Sequence, residues 1–122
     1  MGEPELMTKQ ALQESADGPA HRWFNRPESG RWQQPVLSEW ELRCARWTDR
    51  HEYDELNYVL EGELHVESGG VTVIADIGDV IRVPAGSTGH YWAPRYARML
   101  AVYGPNPEGK PTVERSYRSG SP

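Results

Sequence analysis

The chain has 122 residues, which is enough for one domain with a modest hydrophobic core. Its formal net charge of -5 argues against a nucleic-acid-binding protein, because such a domain needs a basic face. Cys44 is the only cysteine, which excludes an intramolecular disulfide and a cysteine-based structural zinc site and favours a reducing compartment.

Three zones of the chain differ in composition. Residues 1–33 are polar and mixed, and we expect an N-terminal extension that is partly strand and partly irregular. Residues 34–104 carry a series of short strand patterns and form the predicted barrel domain. Proline and glycine recur from Gly104 onward, so residues 105–122 are predicted to be a C-terminal tail with little regular structure.

The first part of the barrel zone has the pattern of β-strands. Trp40, Leu42 and Cys44 alternate with the residues between them, which is the period of a strand with two different faces. Two apolar runs then surround Glu61-Gly62 in residues 56–66, a pattern typical of a β-hairpin.

The second part continues the pattern. Ser68-Gly69-Gly70 predicts a turn before a strand at 71–75, and Gly78-Asp79 precedes a strand that Pro84 ends. The last strand of this zone is predicted over 97–103. Strands that recur about every eight to twelve residues favour an antiparallel sandwich or barrel. No segment of the zone has a sustained helical period, so the predicted fold class is all-β.

Two stretches go beyond a generic β pattern. Residues 51–64 read HEYDELNYVLEGEL, and residues 78–86 read GDVIRVPAG. In order and spacing, they resemble the two sequence motifs of the cupin superfamily (RmlC-like proteins), over about residues 36–104. The resemblance implies a cupin double-stranded β-helix, a small antiparallel barrel or jelly roll, with a pocket for one small ligand.

The resemblance also bears on metal binding. Metal-binding cupins carry H-x-H-x-x-x-E in the first motif and a histidine in the second. The first three positions fall on Asp49, His51 and Glu55, and the fourth falls on Gly89, one residue before His90. His90 would face the interior only if the preceding loop held one extra residue, because a strand alternates faces. The resemblance therefore implies either no cofactor or a divalent metal (Zn, Fe, Mn or Ni) held by these three residues and His90.

The same region is similar to one group within the superfamily, the EutQ-like ethanolamine-utilisation cupins. The similarity lies in YDE followed by YVLEG, and in GDVI followed by Pro84, Gly86-Ser87 and a later aromatic residue with Pro94. That group generally lacks the full set of metal ligands and has been linked to acyl-phosphate, acetate kinase-like activity. The departures at Asp49 and Gly89 are what this group would predict.

Strand parity predicts which residues face the pocket. Glu55 and Asn57 share one face of their strand, and a carboxylate among aromatic rings can have a raised pKa and act as an acid or base. A nearby histidine would complement it. The predicted catalytic residues are Glu55, His51, His90 and Tyr53. The predicted ligand-binding residues are Asn57, Trp92, Tyr91, Arg82 and Trp47. On the second-motif strand, either Gly89, Tyr91 and Ala93 or His90 and Trp92 face the cavity.

Three functions stay open. The first is a small-molecule enzyme that uses acid–base chemistry in the pocket, of isomerase, cyclase, lyase or acyl-phosphate type. The second is a metal-dependent cupin oxygenase or lyase. The third is a module that binds a small ligand without chemistry, because one fold hosts many functions.

The expected partners follow from the same resemblance and from composition. Cupins commonly form homodimers, and residues 20–40 would be able to supply an edge strand to a second copy. A small-molecule ligand or substrate is expected, but neither nucleic acid nor a membrane, since no run of about eighteen apolar residues occurs. Residues 1–18 lack the apolar stretch of a secretion signal, so a cytoplasmic location is expected.

Overall fold

Eight β-strands make up the regular structure of the described residues, 2–26 and 31–120 of a computed structural model. The remaining parts of the predicted extension and tail, residues 1, 27–30 and 121–122, lie outside the described residues. No helix in the described part is long and apolar enough to cross a membrane. The strands are β1 (His21–Trp23), β2 (Val36–Arg50), β3 (Glu55–Gly62), β4 (Leu64–Ser68), β5 (Val71–Ala75), β6 (Val80–Val83), β7 (Thr88–Tyr103) and β8 (Glu114–Ser119).

Two long strands, β2 and β7, organise the fold by pairing antiparallel along their whole length. The first half of β2 and the second half of β7 belong to one sheet, in the order β1-β2-β7-β3-β6. Their other halves belong to a second sheet, in the order β8-β2-β7-β4-β5. One hydrophobic core contains buried side chains from both sheets. The prediction of an all-β antiparallel jelly roll is confirmed.

The strand β2 passes from one sheet to the other at Cys44. The register slips there, because Arg43 pairs with Tyr96 whereas Ala45 pairs with Ala93. Cys44 has a φ of +48°, which is uncommon for a residue other than glycine. Such a bulge bends a strand and re-aims the side chains that follow it. The alternation predicted to run through Cys44 therefore breaks, and Ala45 is the fully buried residue.

The hairpin predicted over residues 56–66 is wrong. The strand β3 pairs with β6 and β7, whereas β4 pairs with β5 and β7, so consecutive strands lie in different sheets. Gly62 lies between them with a φ of +78°, and a Cβ there would overlap the backbone carbonyl of Tyr96. The chain continues past this close approach along the same edge of β7 and enters the other sheet instead of reversing.

Both ends of the chain add a strand to the barrel. The strand β1 pairs with β2 of the same chain, and β8 pairs with the second half of β2. The prediction of an irregular C-terminal tail is therefore wrong for residues 114–119. The segment reads ERSYRS and has little apolar pattern of its own. Its conformation is set by the hydrogen-bonding edge of β2, which a sequence pattern does not reveal.

The interior of the barrel is apolar with a few polar exceptions. Leu42, Val59 and Met99 from one sheet pack with Leu64 and Val66 from the other. The exceptions close to these residues are three polar side chains that are almost completely buried: Asp49, Glu55 and Asn57. Lone buried polar groups are costly, so they mark the place where the structure holds a specific network.

Candidate functional site

A cluster of one histidine and two carboxylates lies inside the barrel. The Nε2 atom of His51 is 3.1 Å from Oδ2 of Asp49 and 3.2 Å from Oε1 of Glu55. Asp49 is near the end of β2 and Glu55 begins β3, so the connection between these strands folds His51 between the two carboxylates. The side chains of Asp49 and Glu55 are only 6% and 2% exposed, which shields the cluster from water.

Glu55 is held from one side by two donors. The side-chain amide of Asn57 and the hydroxyl of Tyr91 donate to Oε2 of Glu55 over 2.7 Å and 2.9 Å. The indole N–H of Trp40 in turn donates to the Asn57 carbonyl oxygen over 2.8 Å. The other oxygen, Oε1, is buried and has no aligned hydrogen bond within the described part of the chain. Its nearest polar neighbour is Nε2 of His51 at 3.2 Å, which is within reach of a hydrogen bond although poorly aligned, so Glu55 presents Oε1 toward His51.

His51 is held from the other side. Its Nδ1 atom lies 2.9 Å from the hydroxyl oxygen of Thr112, and its ring stacks on Tyr53 with centroids 4.7 Å apart. Asp49, beyond Nε2, also accepts a hydrogen bond of 2.8 Å from the indole N–H of Trp47. These contacts fix the plane of the imidazole and leave little freedom for it to rotate.

The electrostatics of the cluster favour a shared proton. Burial lowers the pKa of His51, but the hydrogen bonds and charges of Asp49 and Glu55 outweigh it and raise that pKa to about 9. Burial and the charge of Asp49 raise the pKa of Glu55, against the opposing effects of His51 and Asn57. The groups titrate together, so a proton is available to His51 and Glu55 near neutral pH.

A cavity of about 510 Å³ opens beside the cluster. His51 and Asp49 line it, whereas Glu55 lies behind them. Five aromatic side chains form much of its wall, namely Trp23, Trp40, Trp47, Tyr53 and Tyr103. The mouth is completed by residues 15–19 of the N-terminal extension and by Thr112, Arg115 and Ser116 of the C-terminal segment. The volume suits one small organic molecule.

The structure brings most of the predicted site residues together. Asp49, His51 and Glu55 form the cluster, and Tyr53 stacks on it. The predicted ligand-binding residues Asn57 and Tyr91 hold Glu55, and Trp47 lines the cavity. On the second-motif strand, the buried set is Gly89, Tyr91 and Ala93.

His90 is not part of this group. The register pairs Asp49 with Gly89 and Thr48 with His90, and no bulge interrupts it there, so the strand has no extra residue to turn His90 inward. His90 is exposed on the outer face, where its Nδ1 lies 3.0 Å from the hydroxyl oxygen of Thr48. The catalytic and metal-binding roles predicted for His90 do not agree with this position.

Trp92 and Arg82 also lie outside the cavity. Trp92 shares the outward parity of His90, and its ring contacts that of His65 with centroids 4.7 Å apart. Arg82 is exposed and pairs with Asp54 at 3.0 Å. Both lie on the outer faces of their strands, so the ligand-binding roles predicted for them are corrected.

Thr112 and Arg115 are site residues that the sequence did not reveal. Both lie in the zone predicted to be irregular, and no motif marks them. The available signal was the parity of the segment: Tyr117 is its one large aromatic residue, so Arg115 two residues earlier would share its face in a strand. That inference requires knowing that the segment is a strand.

The cluster also fits a divalent cation. One donor atom each from Asp49, His51 and Glu55 lie within 4.8 Å of one another. Mixed imidazole and carboxylate sets bind several divalent transition metals. Position 89 is a glycine and supplies no side-chain ligand, and a Cβ there would crowd the ring of Tyr91 at 2.8 Å. Among the described residues, the cluster therefore has three donors.

Comparison with known proteins agrees with this architecture. A family model described as "Ethanolamine utilisation protein EutQ" matches residues 24–107. Curated relatives named "Acetate kinase EutQ" include the Salmonella typhimurium protein, which is 43% identical over 67 residues, covering 55% of this chain and 28% of the relative. The Escherichia coli protein of that name is 42% identical, with the same coverage of both chains. The matched stretch thus spans less than a third of these relatives.

Solved structures show the same fold. The EutQ protein of Clostridium difficile is 28% identical and has a TM-score of 0.63, covering 75% of this chain and 65% of that one. An RmlC-like cupin from Shewanella frigidimarina is 18% identical with a TM-score of 0.64, covering 80% of this chain and 86% of that one, which supports the fold alone. Since the family model matches most of the chain, the protein belongs to the EutQ family and has the cupin double-stranded β-helix fold.

Proposed function

We propose that the chain is a small-molecule enzyme of acid–base type, in which His51 transfers a proton to or from a ligand in the barrel cavity. The observation that carries this proposal is the buried cluster of Asp49, His51 and Glu55 at the wall of that cavity. A histidine held between carboxylates beside a small-molecule cavity is a recurrent arrangement for proton transfer.

The positions of the three residues support a proposed role for each. His51 faces the cavity and is the group that contacts the ligand, so it is the proposed catalytic residue. The hydroxyl of Thr112 lines the cavity 2.9 Å from Nδ1 and relays the proton between the ligand and that nitrogen. Glu55 is a positioning residue behind the ring, and its Oε1, 3.2 Å from Nε2, accepts the Nε2 proton when Nδ1 gains one. Asp49 fixes the imidazole through Nε2, as Thr112 does through Nδ1. Tyr53 covers the ring and limits the access of water.

The reaction to test first comes from the relatives. Those that match this chain are named acetate kinase, which suggests chemistry on a small carboxylate or acyl phosphate. Isomerase, cyclase and lyase reactions of small acids use the same proton transfer and belong in the same panel. The alternative of a binding module without chemistry predicts no turnover of any of them.

The barrel provides a matched control for the experiment. Glu63 and His65 form a second histidine–carboxylate pair, at 2.8 Å, away from the cavity. Purified protein is assayed with ATP, magnesium and acetate, with acetyl phosphate, and with a panel of small organic acids. We expect His51→Gln to lower turnover by about 10²–10⁴-fold and Glu55→Gln to shift its pH profile, while His65→Gln and Glu63→Gln stay within about twofold. Wild-type activity that His51→Gln leaves intact, or wild-type protein inert to the whole panel, contradicts the proposal.

A metal-dependent reaction is the second candidate. It is favoured by the three converging donors and by the buried Oε1 of Glu55, which has no aligned hydrogen bond in the described part of the chain. A divalent ion bound there would act as a Lewis acid on a ligand oxygen. Elemental analysis of protein purified without chelators tests it: about one ion per chain, lost in Glu55→Gln and retained in Glu63→Gln, supports the candidate. Less than about 0.1 ion per chain excludes it.

A further inference from the structure

We infer that Arg115 forms an oxyanion subsite at the mouth of the cavity, and that the ligand is a small organic carboxylate or phosphate with an apolar or aromatic body. The inference deepens the proposed function, on which it rests for the location of the chemistry. It adds the residue that binds the anionic group and the apolar or aromatic body of the ligand.

The register of β8 directs Arg115 toward the cavity. Arg115 pairs with Asp49 of β2, and Tyr117 pairs with Trp47. Tyr117 packs against the hydrophobic core, so the face of β8 that it shares with Arg115 is the inner one. Arg115 accordingly lines the cavity at its exposed mouth, whereas Asp49 lines it from the buried side. Arg118 has the opposite parity and lies on the outer face, across from Arg46.

The guanidinium of Arg115 lacks a bonded partner in the described part of the chain. Within residues 2–26 and 31–120, it has no ion pair and no hydrogen bond. Five other arginines each have a carboxylate within 3.9 Å: Arg22, Arg43, Arg50, Arg82 and Arg98. Asp49 lies opposite Arg115, but its Oδ2 is taken by Trp47 and His51. Asp17 is the other acid at the cavity, and it is not paired with Arg115 either.

A free guanidinium at a cavity recognises oxyanions by its shape. Its planar fork presents parallel N–H donors that match a carboxylate or a phosphate, and these charge-assisted bonds are stronger than neutral ones. Arginine also keeps its charge at every physiological pH. Arg115 supplies the guanidinium of such an ion pair, and the ligand supplies the oxyanion.

The remaining wall of the cavity favours an apolar body on the same ligand. The indole N–H of Trp47 is donated to Asp49 and that of Trp40 to Asn57, so the protein already uses the polar atom of each ring. What these rings offer a ligand is apolar surface, and Trp23 and Tyr103 add to it. An oxyanion on a planar or apolar body matches both parts of the wall.

The subsite lies in a part of the chain that the family match does not cover. The match ends at residue 107, and Arg115 and Thr112 follow it. The N-terminal lining, residues 15–23, precedes the match. The role of Arg115 is therefore inferred from this chain's own C-terminal segment, outside the family match.

Binding of simple probes tests the subsite without knowledge of the reaction. Isothermal titration calorimetry with the full chain measures benzoate and phenyl phosphate as anionic aromatic probes. Benzamide is the neutral analogue, and inorganic phosphate is the anion without an aromatic group.

We expect benzoate and phenyl phosphate to bind more tightly than benzamide or inorganic phosphate. Arg115→Gln should weaken benzoate and phenyl phosphate at least tenfold and leave benzamide within twofold. Arg115→Lys should recover part of the loss, since it restores the charge but not the fork.

Arg118→Gln is the matched control, because it removes the same charge from the outer face of the same strand. It should leave every affinity within twofold. Equal weakening by Arg118→Gln would mean non-specific charge attraction. The inference would be overturned if Arg115→Gln bound benzoate and phenyl phosphate as wild type does. It would also be overturned if wild type bound neither probe at 10 mM, which is about the weakest affinity that calorimetry resolves. A preference between the two probes identifies the oxyanion as carboxylate or phosphate.

The two proposals fail separately. If His51→Gln still turns over a substrate while Arg115→Gln loses anion binding, the acid–base proposal fails and the subsite stands. If His51→Gln loses turnover but Arg115→Gln binds the anions as wild type does, the subsite fails and the acid–base proposal stands.

Discussion

Two histidine–carboxylate pairs of this barrel have similar distances and different surroundings. Inside, His51 lies 3.1 Å from Asp49, whose side chain is 6% exposed. Outside, His65 lies 2.8 Å from Glu63, whose side chain is 52% exposed. Water screens the outer pair, and exposed pairs contribute about 0–1 kcal/mol. Burial and a second carboxylate therefore make the inner pair a candidate for chemistry, more than its residue types or their separation do.

The largest contrast is expected between neighbours on β4. Leu64 is fully buried in the core and His65 faces outward. Leu64→Ala should lower the free energy of unfolding by about 2–5 kcal/mol because it leaves a cavity, and His65→Ala by less than about 1 kcal/mol. Urea denaturation of both variants measures this. Equal losses of unfolding free energy would contradict the buried position of Leu64 and the outward position of His65 on β4.

The pH dependence of stability is the next largest effect. The pKa of His51 is raised in the folded protein to about 9, from 6.5, so its contribution is complete below pH 6.5 and is lost as the pH rises through 9. The raised pKa of Glu55 acts in the same direction. We expect wild type to lose up to about 3 kcal/mol over this interval. Thermal melts from pH 6 to 10 should show a flatter profile for His51→Gln and an unchanged one for His65→Gln.

Removing the support of the inner cluster has a smaller effect. Asn57→Ala takes one hydrogen bond from Glu55 and leaves the indole N–H of Trp40 without its acceptor. An unsatisfied buried donor costs about 1–3 kcal/mol, and we expect a loss of about 2 kcal/mol. Thr72→Ala, at an exposed site of β5, is the control and should stay within about 0.5 kcal/mol. Equal losses of unfolding free energy in the two variants would argue against the hydrogen-bond network of Trp40, Asn57 and Glu55.

The smallest effect belongs to the outer pair itself. Glu63→Gln removes the charge beside His65, and because the pair is exposed the expected loss is less than about 1 kcal/mol. It should shrink further in about 1 M salt, where the Debye length is near 3 Å. A loss that persists in high salt would show that the outer pair does more than a screened surface contact.

The sequence predicted the barrel and the cluster because both depend on local spacing. The cupin motifs placed Asp49, His51 and Glu55, and strand parity placed Asn57 on the same face as Glu55. Parity, however, says which face a residue occupies and not which strand its backbone pairs with. The hairpin predicted around Gly62 was wrong for that reason, since the chain there changes sheets.

The missing parts of the site have a similar cause. The conformation of β8 is imposed by the edge of β2, so the positions of Thr112 and Arg115 depend on contacts far apart in the chain. His90 differed from Gly89 by one residue, and the sequence left open an extra residue in the preceding loop. Only the register with Asp49 decides between the two faces.

The close contact between Gly89 and Tyr91 sets a condition for engineering this barrel. A histidine at position 89 would complete a four-ligand metal centre, but its Cβ would meet the Tyr91 ring at 2.8 Å. Tyr91 also donates a hydrogen bond to Glu55, so trimming it alone removes a partner from a buried carboxylate. Conversion to a four-ligand metalloprotein therefore requires a histidine at position 89 together with a smaller residue at position 91. The first substitution alone overpacks the interior, and the second alone removes a hydrogen-bond donor from Glu55.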